Sequence, residues 1–215
     1  LFVCRAFPGN LLSHVQAQGF QTVELPLDDE EAFISSESQS GQIKHAAWLG
    51  ADSMTDAKQT IEGIGQAETD LLIVDHYAID ANWEGVLREH AKTLLVIDDL
   101  ADREHDCDFL LDQNLVANLY SRYEGLLPQQ AHRFLGPEFA LLQPEYEAFA
   151  QRTPSRQGTI KRVLVYFGEA DTENLTGKVI TAFLSLPCDD IELDVIVSEK
   201  SPHFGAIKQQ ATQSA

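Results

Sequence analysis

The stretch LLIVDHYAIDANWEGVLREHAKTLLVIDDL, residues 71–100, decides the fold class. It contains two short apolar runs, residues 71–75 and 94–98, and residues 83–90 between them carry apolar side chains at helical spacing. Near-continuous apolar runs are typical of strands that are covered on both faces. A helix between two such strands is the usual crossover of a parallel sheet. The stretch therefore predicts a strand–helix–strand unit.

The same alternation extends in both directions along the chain. Further strand-like runs lie at residues 1–4, 20–25, 109–111, 163–167 and 191–197, and further helical periodicity at residues 11–18, 56–65 and 174–186. This order predicts a doubly wound, Rossmann-like α/β fold with a parallel sheet and right-handed crossovers. In such folds the ligand site lies at the carboxyl ends of the strands.

The polar segment QRTPSRQG, residues 151–158, predicts a domain boundary because it contains Pro and Gly and lacks apolar periodicity. We expect an N-terminal Rossmann-like domain at residues 1–153 and the beginning of a second α/β domain at residues 154–215. The chain opens in a strand, so we expect the first strand and loop of domain one to be missing. Only two strands precede a polar tail, so we expect the second domain to be truncated.

The charge and composition of the chain disfavour several classes of function. The formal net charge is −19, which disfavours binding to nucleic acid. No apolar run approaches the roughly 20 residues that span a bilayer, so we expect no membrane role. The three cysteines are scattered, which predicts a reducing, cytoplasmic location and ordinary packing roles. We expect no cofactor and no metal, although carboxylates alone can hold Mg²⁺. The composition does not determine the oligomeric state.

Polar residues follow the first apolar run directly. Asp75, His76 and Tyr77 stand where an α/β sheet binds its ligands. A tyrosine hydroxyl can hydrogen-bond a sugar or a departing phosphate, and a histidine can move a proton near neutral pH. The alternative is that Asp75 caps the following turn and that His76 is an ordinary loop residue.

Three further groups follow later strands. Adjacent carboxylates beside an arginine can orient hydroxyls or act as a base, and amides can recognise N-acetyl groups. A glycine before a helix lets backbone amides approach an anion. Helix capping, surface ion pairs and turn closure are the alternatives. The groups are Asp98, Asp99, Asp102 and Arg103; Asp112, Gln113 and Asn114; and Gly168, Glu169 and Asp171.

Collinear motifs over nearly the whole chain resemble one enzyme family. These motifs are FVCR (residues 2–5), PGN (8–10), HAAWLG (45–50), VDHY (74–77) with WE (83–84), VIDDLADR (96–103), LLDQN (110–114), FLGP (134–137), ALL (140–142) and the segment 167–176. The family is UDP-2,4-diacetamido-2,4,6-trideoxy-β-L-altropyranose hydrolase. The resemblance implies a GT-B-like fold and inverting hydrolysis of a UDP-sugar to UDP and the free sugar. It also implies pseudaminic acid biosynthesis and flagellin glycosylation in the cytoplasm of a bacterium.

The resemblance also implies roles for individual residues. Tyr77 matches the family's catalytic tyrosine, and His76 stands beside it. The family's general base is a histidine in a Gly-rich loop without a counterpart in this sequence, so we expect the 215-residue chain to be inactive. Gln143 and Glu169 depart from the family pattern. The implied substrate-binding residues are Asp75, Asp98, Asp99, Asp102, Arg103, Gln113, Asn114, Gln143, Gly168 and Asp171.

Two other functions remain open at this stage. A GT-B-type glycosyltransferase that uses a nucleotide sugar would share the fold, because a fold does not determine the acceptor. A non-catalytic sugar-binding module would explain the missing base and the carboxylate of Glu169 beside Gly168.

Overall fold

The computed structural model describes residues 1–27, 44–65, 69–154, 157–168, 171–187 and 190–213. It divides into two compact units, Leu1–Gln143 and Pro144–Ala215. The two units are described separately below. The domain boundaries predicted from the sequence stay a prediction.

The first unit alternates strands and helices. Its elements are β1 (Phe2–Arg5), α1 (Leu12–Ala17), β2 (Thr22–Leu25), a 3₁₀ turn (Ala46–Leu49), α2 (Ser53–Ile64), β3 (Thr69–Val74), α3 (Ala81–Leu87), a 3₁₀ turn (Arg88–His90), β4 (Ala91–Ile97), β5 (Phe109–Asp112), β6 (His132–Leu135) and a 3₁₀ turn (Pro137–Phe139). The prediction of a mixed α/β fold with a parallel sheet flanked by helices is confirmed.

The strands of this unit form two parallel ladders. β3, β4, β5 and β6 pair in that order into a four-stranded sheet, whereas β1 pairs with β2 alone. The described strands therefore do not form one continuous sheet, unlike the doubly wound sheet that the sequence predicts.

One face of the four-stranded sheet forms the core of the unit. Leu94, Val96 and Leu110 point to this face and are almost completely buried. They share a cluster with Ala57 of α2 and Leu87 of α3, so the two helices cover this face. Burial of each such side chain contributes roughly 1.5–3 kcal/mol.

The opposite face is only partly covered. Leu71 and Ile73 of β3 are 47% and 55% exposed, although each stands in an apolar run. The prediction that these strands are covered on both faces is therefore wrong for β3 within the described residues. An apolar run indicates that its side chains avoid water, but it does not indicate which element covers them.

Helices α2 and α3 both start at an aspartate cap. The Asp52 carboxylate accepts hydrogen bonds from the Met54 and Thr55 amides, each at 3.1 Å. Asp80 caps α3 in the same way, at 3.1 Å to the Asn82 amide. Such caps satisfy amides that have no partner inside the helix. They explain why both helices begin two to three residues earlier than the apolar periodicity indicates.

The described residues of the second unit form two strands and three helices. Its elements are α4 (Pro144–Arg152), β7 (Arg162–Val165), α5 (Leu175–Leu184), β8 (Glu192–Val195) and α6 (Phe204–Gln213), with β7 parallel to β8. The polar tail predicted from the sequence contains α6, a helix that the apolar periodicity does not indicate. Ile207 of α6 and Ile180 of α5 are each 2% exposed, and the two helices are in contact. No helix in the described part of the chain is long and apolar enough to cross a membrane.

Candidate functional site

Three loops meet at the carboxyl edge of the four-stranded sheet. Val74 pairs with Val96, and Ile97 pairs with Leu111, so β3, β4 and β5 end side by side. The loops that follow these strands carry most of the site residues predicted from the sequence. The parallel register brings these residues together from positions far apart in the chain.

Tyr77 and Asn114 both hydrogen-bond the carboxylate of Asp99. The Asn114 amide donates to Asp99 Oδ2 at 2.9 Å, and the Tyr77 hydroxyl hydrogen-bonds the same carboxylate. The other oxygen, Asp99 Oδ1, is buried and has no hydrogen-bond partner among the described residues. This oxygen can accept a hydrogen bond from a bound hydroxyl, amide or water.

The Asp99 carboxylate determines the protonation of Tyr77. Its hydrogen bond, with burial and the charges of Asp99, Asp75 and Asp98, raises the pKa of Tyr77 to about 12. A phenolate beside these carboxylates would add a like charge, so the neutral hydroxyl is favoured. At neutral pH, Tyr77 is therefore a neutral hydroxyl and not a phenolate.

His76 is held by backbone groups. Its Nδ1 accepts a hydrogen bond from the Ala78 amide at 3.1 Å, and its ring also hydrogen-bonds the backbone of Trp48. Burial lowers the pKa of His76, which favours the neutral imidazole. These bonds connect the loop after β3 to the 3₁₀ turn Ala46–Leu49. The catalytic role of His76 stays a prediction.

Asp98 and Arg103 form a buried ion pair. Arg103 Nη1 lies 2.8 Å from Asp98 Oδ1, and Arg103 Nε donates to the Ile79 carbonyl at 2.6 Å. Although burial opposes ionisation of Asp98, the Ala101 amide, Arg103 and His105 outweigh it, and the pKa of Asp98 is lowered. The hydrogen bond from Arg103 to Ile79 connects the loop after β4 to the loop after β3. Asp102 adds a contact to Arg103 at 3.2 Å.

Tyr123 and Arg122, which the sequence reading missed, support the same loops. The Tyr123 hydroxyl lies 2.9 Å from Asp98 Oδ2 and 3.2 Å from Asp112 Oδ2. Arg122 Nη1 lies 2.8 Å from Asp112 Oδ2, and its Nη2 donates to the Asp99 carbonyl at 2.7 Å. The two residues thereby fix the backbone that presents Asp99. No local pattern identifies them, because they lie in an irregular loop.

A second missed pair lies deeper in the unit. Glu84 and His105 are almost completely buried, with 2.7 Å between Glu84 Oε1 and His105 Nδ1. Glu84 Oε2 also accepts a hydrogen bond from the Asp106 amide at 2.6 Å. A sequence signal exists here, because Glu84 stands three residues before Leu87 on the apolar face of α3.

The remaining candidate site residues of the first unit are Asp75, Gln113 and Gln143. Asp75 is exposed, and so is Gln143 at the end of the unit. Gln113 accepts a hydrogen bond from the Leu141 amide at 2.9 Å, which leaves its amide nitrogen free to donate to a ligand.

Gly168 and Asp171 belong to the second unit. Gly168 has a φ of 78°, and Asp171 accepts hydrogen bonds from the Leu175 and Thr176 amides at 2.7 and 3.0 Å. Asp171 therefore caps the start of α5, and its hydrogen bonds, that with Thr176 first, lower its pKa. Glu169 lies outside the described residues.

The first-unit site suits an uncharged polar ligand with several hydrogen-bond donors. It offers a carboxylate with an unused oxygen, a phenol and two amides. Arg103 and Arg122 both already contact buried carboxylates. Within the described residues, no group of three or more His, Cys, Asp and Glu side chains is arranged to hold a metal ion.

Comparison with known proteins gives two distant relatives. No protein-family model matches the chain. The chain resembles a UDP-sugar hydrolase. It is 26% identical over 153 residues to the UDP-2,4-diacetamido-2,4,6-trideoxy-β-L-altropyranose hydrolase of Campylobacter jejuni subsp. jejuni, a match that covers 71% of this chain and 53% of the relative.

The second relative is an uncharacterised protein of Methanocaldococcus jannaschii. It is 24% identical over 149 residues, which cover 68% of this chain and 31% of that protein. The chain thus spans about half of the first relative and about a third of the second. These matches support a distant relationship to the hydrolase that the sequence motifs resemble.

Proposed function

We propose that the protein that carries this chain hydrolyses a UDP-2,4-diacetamido-2,4,6-trideoxyhexose to UDP and the free sugar, with inversion at the anomeric carbon. The convergence of Tyr77 and Asn114 on Asp99 carries the proposal. The distant relationship to a UDP-sugar hydrolase supports it. We also propose a GT-B-like arrangement, with a Rossmann-like domain at residues 1–153 and the beginning of a nucleotide-binding domain at residues 154–215.

In the proposed reaction, a water oxygen forms a bond to the anomeric carbon while the bond from that carbon to the β-phosphate oxygen breaks. The electron pair of that bond leaves with UDP, and the proton of the water passes to a general base. The motif resemblance assigns the base to a histidine without a counterpart in residues 1–215. When the substrate binds, the neutral phenol of Tyr77 turns its single proton from Asp99 to the substrate, and the Asp99 carboxylate accepts hydrogen bonds from the sugar instead.

The charges of the first unit favour the sugar over the diphosphate in this part of the site. Asp99 and Asp75 would repel a phosphate group, and the charge of Arg103 is already balanced by Asp98. We therefore propose that the diphosphate is bound by other groups. The first amides of α5 are not among them, because the Asp171 carboxylate and the Asn174 side chain already accept their hydrogen bonds.

The test compares Tyr77→Phe with Tyr120→Phe in the complete polypeptide that carries these residues. Tyr120 is 76% exposed, so its variant is a matched control. We expect Tyr77→Phe to lower kcat by roughly 10²-fold, the usual effect of losing one well-placed donor, and to change KM little. UDP release would be followed by coupled assay, with the anomer of the free sugar read by NMR.

Three results would contradict this proposal. The first is a wild-type protein that releases no UDP from this substrate. The second is a Tyr77→Phe variant as active as the Tyr120→Phe control. The third is UDP release only when a sugar or peptide acceptor is added, which would favour a glycosyltransferase.

A further inference from the structure

An aromatic cluster, which we define as His45, Trp48 and Tyr77, lies beside the Asp99 carboxylate. The ring centroids are 4.5 Å apart for His45 and Trp48, 5.7 Å for His45 and Tyr77, and 6.0 Å for Trp48 and Tyr77. The rings are tilted by 45–49° to one another. Trp48 is 55% exposed, so much of its side chain is open to a ligand. Exposed Trp residues of this kind are frequent binding hot spots.

The backbone holds Trp48 in this exposed position. The next residue, Leu49, is 6% exposed and belongs to the core, and the His76 ring hydrogen-bonds the Trp48 backbone. Gly50 follows with a φ of 71°, and a Cβ there would lie 2.5 Å from Phe7 Cζ. The chain therefore turns sharply after Leu49, which buries that side chain and leaves Trp48 outside. The cluster is a preformed surface and not a loose side chain.

The polar groups beside the cluster favour a ligand that is uncharged and rich in donors. No described residue donates a hydrogen bond to Asp99 Oδ1, and Asp75 and Asp98 add negative charge near Tyr77. A phosphate next to the cluster would be repelled. A diacetamido sugar offers two amide N–H groups and a hydroxyl, whereas uracil offers one N–H. Its C–H face and its methyl group are apolar and suit an aromatic ring.

We propose that the aromatic cluster is the subsite for the pyranose ring of the substrate. The apolar face of the sugar packs on Trp48, and the hydroxyl and N-acetyl groups reach Asp99 and Asn114. This inference rests on the proposed function and adds to it the surface that selects the sugar. Trp48 and His45 are then specificity residues outside the bond-breaking step.

Trp48 itself provides the first test. Residues 1–215 contain two tryptophans, of which Trp83 is 3% exposed, and the difference between wild type and Trp48→Phe isolates the emission of Trp48. We would titrate the complete polypeptide with the free diacetamido sugar, with UDP and with the UDP-sugar, and measure emission and acrylamide quenching. We expect both sugar-containing ligands to shield Trp48 and UDP alone to leave it accessible. The same titrations of Trp48→Phe provide the background signal.

Kinetics of Trp48→Ala provide the second test. We expect KM for the UDP-sugar to rise about tenfold or more, the effect of losing an aromatic contact and its buried area, with kcat within about threefold. Tyr120→Ala, another exposed aromatic, should leave both constants unchanged. Because Trp48 is largely exposed, its replacement is compatible with folding, and Trp48→Phe should retain much of the affinity.

The outcomes separate this inference from the proposed function. An active wild-type protein whose KM is unchanged in Trp48→Ala overturns the inference alone. Shielding of Trp48 by UDP alone also overturns it, because the cluster would then hold the nucleobase. A protein that binds the sugar at Trp48 but releases no UDP supports the subsite and overturns the hydrolase. Absence of both binding and turnover overturns both.

Discussion

Replacing Tyr123 by Phe tests whether the buried network holds the site together. Tyr123 is fully buried, and its hydroxyl lies within hydrogen-bond distance of the Asp98 and Asp112 carboxylates. The hydroxyl has a single proton, so it donates one hydrogen bond at a time. Tyr123→Phe removes that donor without changing the shape of the ring. Two buried carboxylates would then share one donor fewer.

The size of the stability loss depends on the ion pairs that each carboxylate keeps in Tyr123→Phe. Asp98 keeps Arg103 at 2.8 Å, and Asp112 keeps Arg122 at 2.8 Å, so neither charge is left without a cation. The free energy of unfolding should therefore fall by about 2 kcal/mol, the value of one hydrogen bond to a charged group. It should not fall by the roughly 3–5 kcal/mol that a broken buried ion pair costs. With a urea m-value of about 2 kcal/mol/M, the midpoint should fall by about 1 M.

Urea unfolding followed by Trp83 fluorescence measures this loss. Trp83 shares the core with Tyr123, so its emission reports the first unit. Tyr120→Phe is the control and should stay within about 0.5 kcal/mol of the wild type, as surface changes do. If Tyr123→Phe matches the control, the network does not stabilise the site, and the argument that it positions Asp99 fails.

The pH dependence of Tyr123→Phe provides an independent check. Interactions that include the Tyr123 hydrogen bond lower the pKa of Asp98 in the folded state. A lowered folded pKa contributes stability above the unfolded value of about 3.9 and loses it as pH falls through the folded pKa. The difference between wild type and variant should therefore be constant near neutral pH and shrink below about pH 4. A difference that grows on acidification would contradict this reasoning.

Two further predictions concern Gly50 and Tyr77. Gly50→Ala should destabilise the first unit by about 1–3 kcal/mol, because its Cβ would lie 2.5 Å from Phe7 Cζ at a positive φ; equal urea midpoints for Gly50→Ala and wild type would contradict this. Tyr77 should remain mostly protonated at pH 11, because its pKa is raised to about 12 from the ordinary value of about 10. The difference in phenolate absorbance between wild type and Tyr77→Phe should therefore be small at that pH. Asp99→Asn should lower the pKa of Tyr77 toward 10, although burial, Asp75 and Asp98 still oppose its ionisation. Full ionisation of wild-type Tyr77 at pH 10 would refute the hydrogen bond.

The sequence predicts those parts of the site that depend on strand order alone. Tyr77, Asp99 and Asn114 each follow a strand, and a parallel register is sufficient to bring strand ends together. Tyr123 is different, because it lies 25 positions from its partner Asp98 in a loop without periodicity. Only the tertiary fold determines that contact.

Some elements of the fold likewise follow from the local sequence, whereas others depend on contacts between residues far apart in the chain. The strand–helix order follows from apolar periodicity, which is a local property. β6 was missed because its sequence, HRFL, starts with two exposed polar side chains and is recognisable as a strand only through its pairing with β5. Helix α6 was missed because few of its residues are apolar, and its position depends on contact with α5.

The distribution of charge in the first unit bears on how the proposed hydrolysis would be catalysed. Arg103 and Arg122 balance Asp98 and Asp112, whereas the buried Oδ1 of Asp99 has no hydrogen-bond partner among the described residues. A sugar that loses its leaving group develops positive charge at the ring, and a nearby carboxylate stabilises that charge without forming a bond. The same carboxylate would repel the departing diphosphate. Under the proposed function, the acidity that disfavours phosphate binding in this unit therefore favours bond cleavage at the anomeric carbon, provided that UDP is held by other groups.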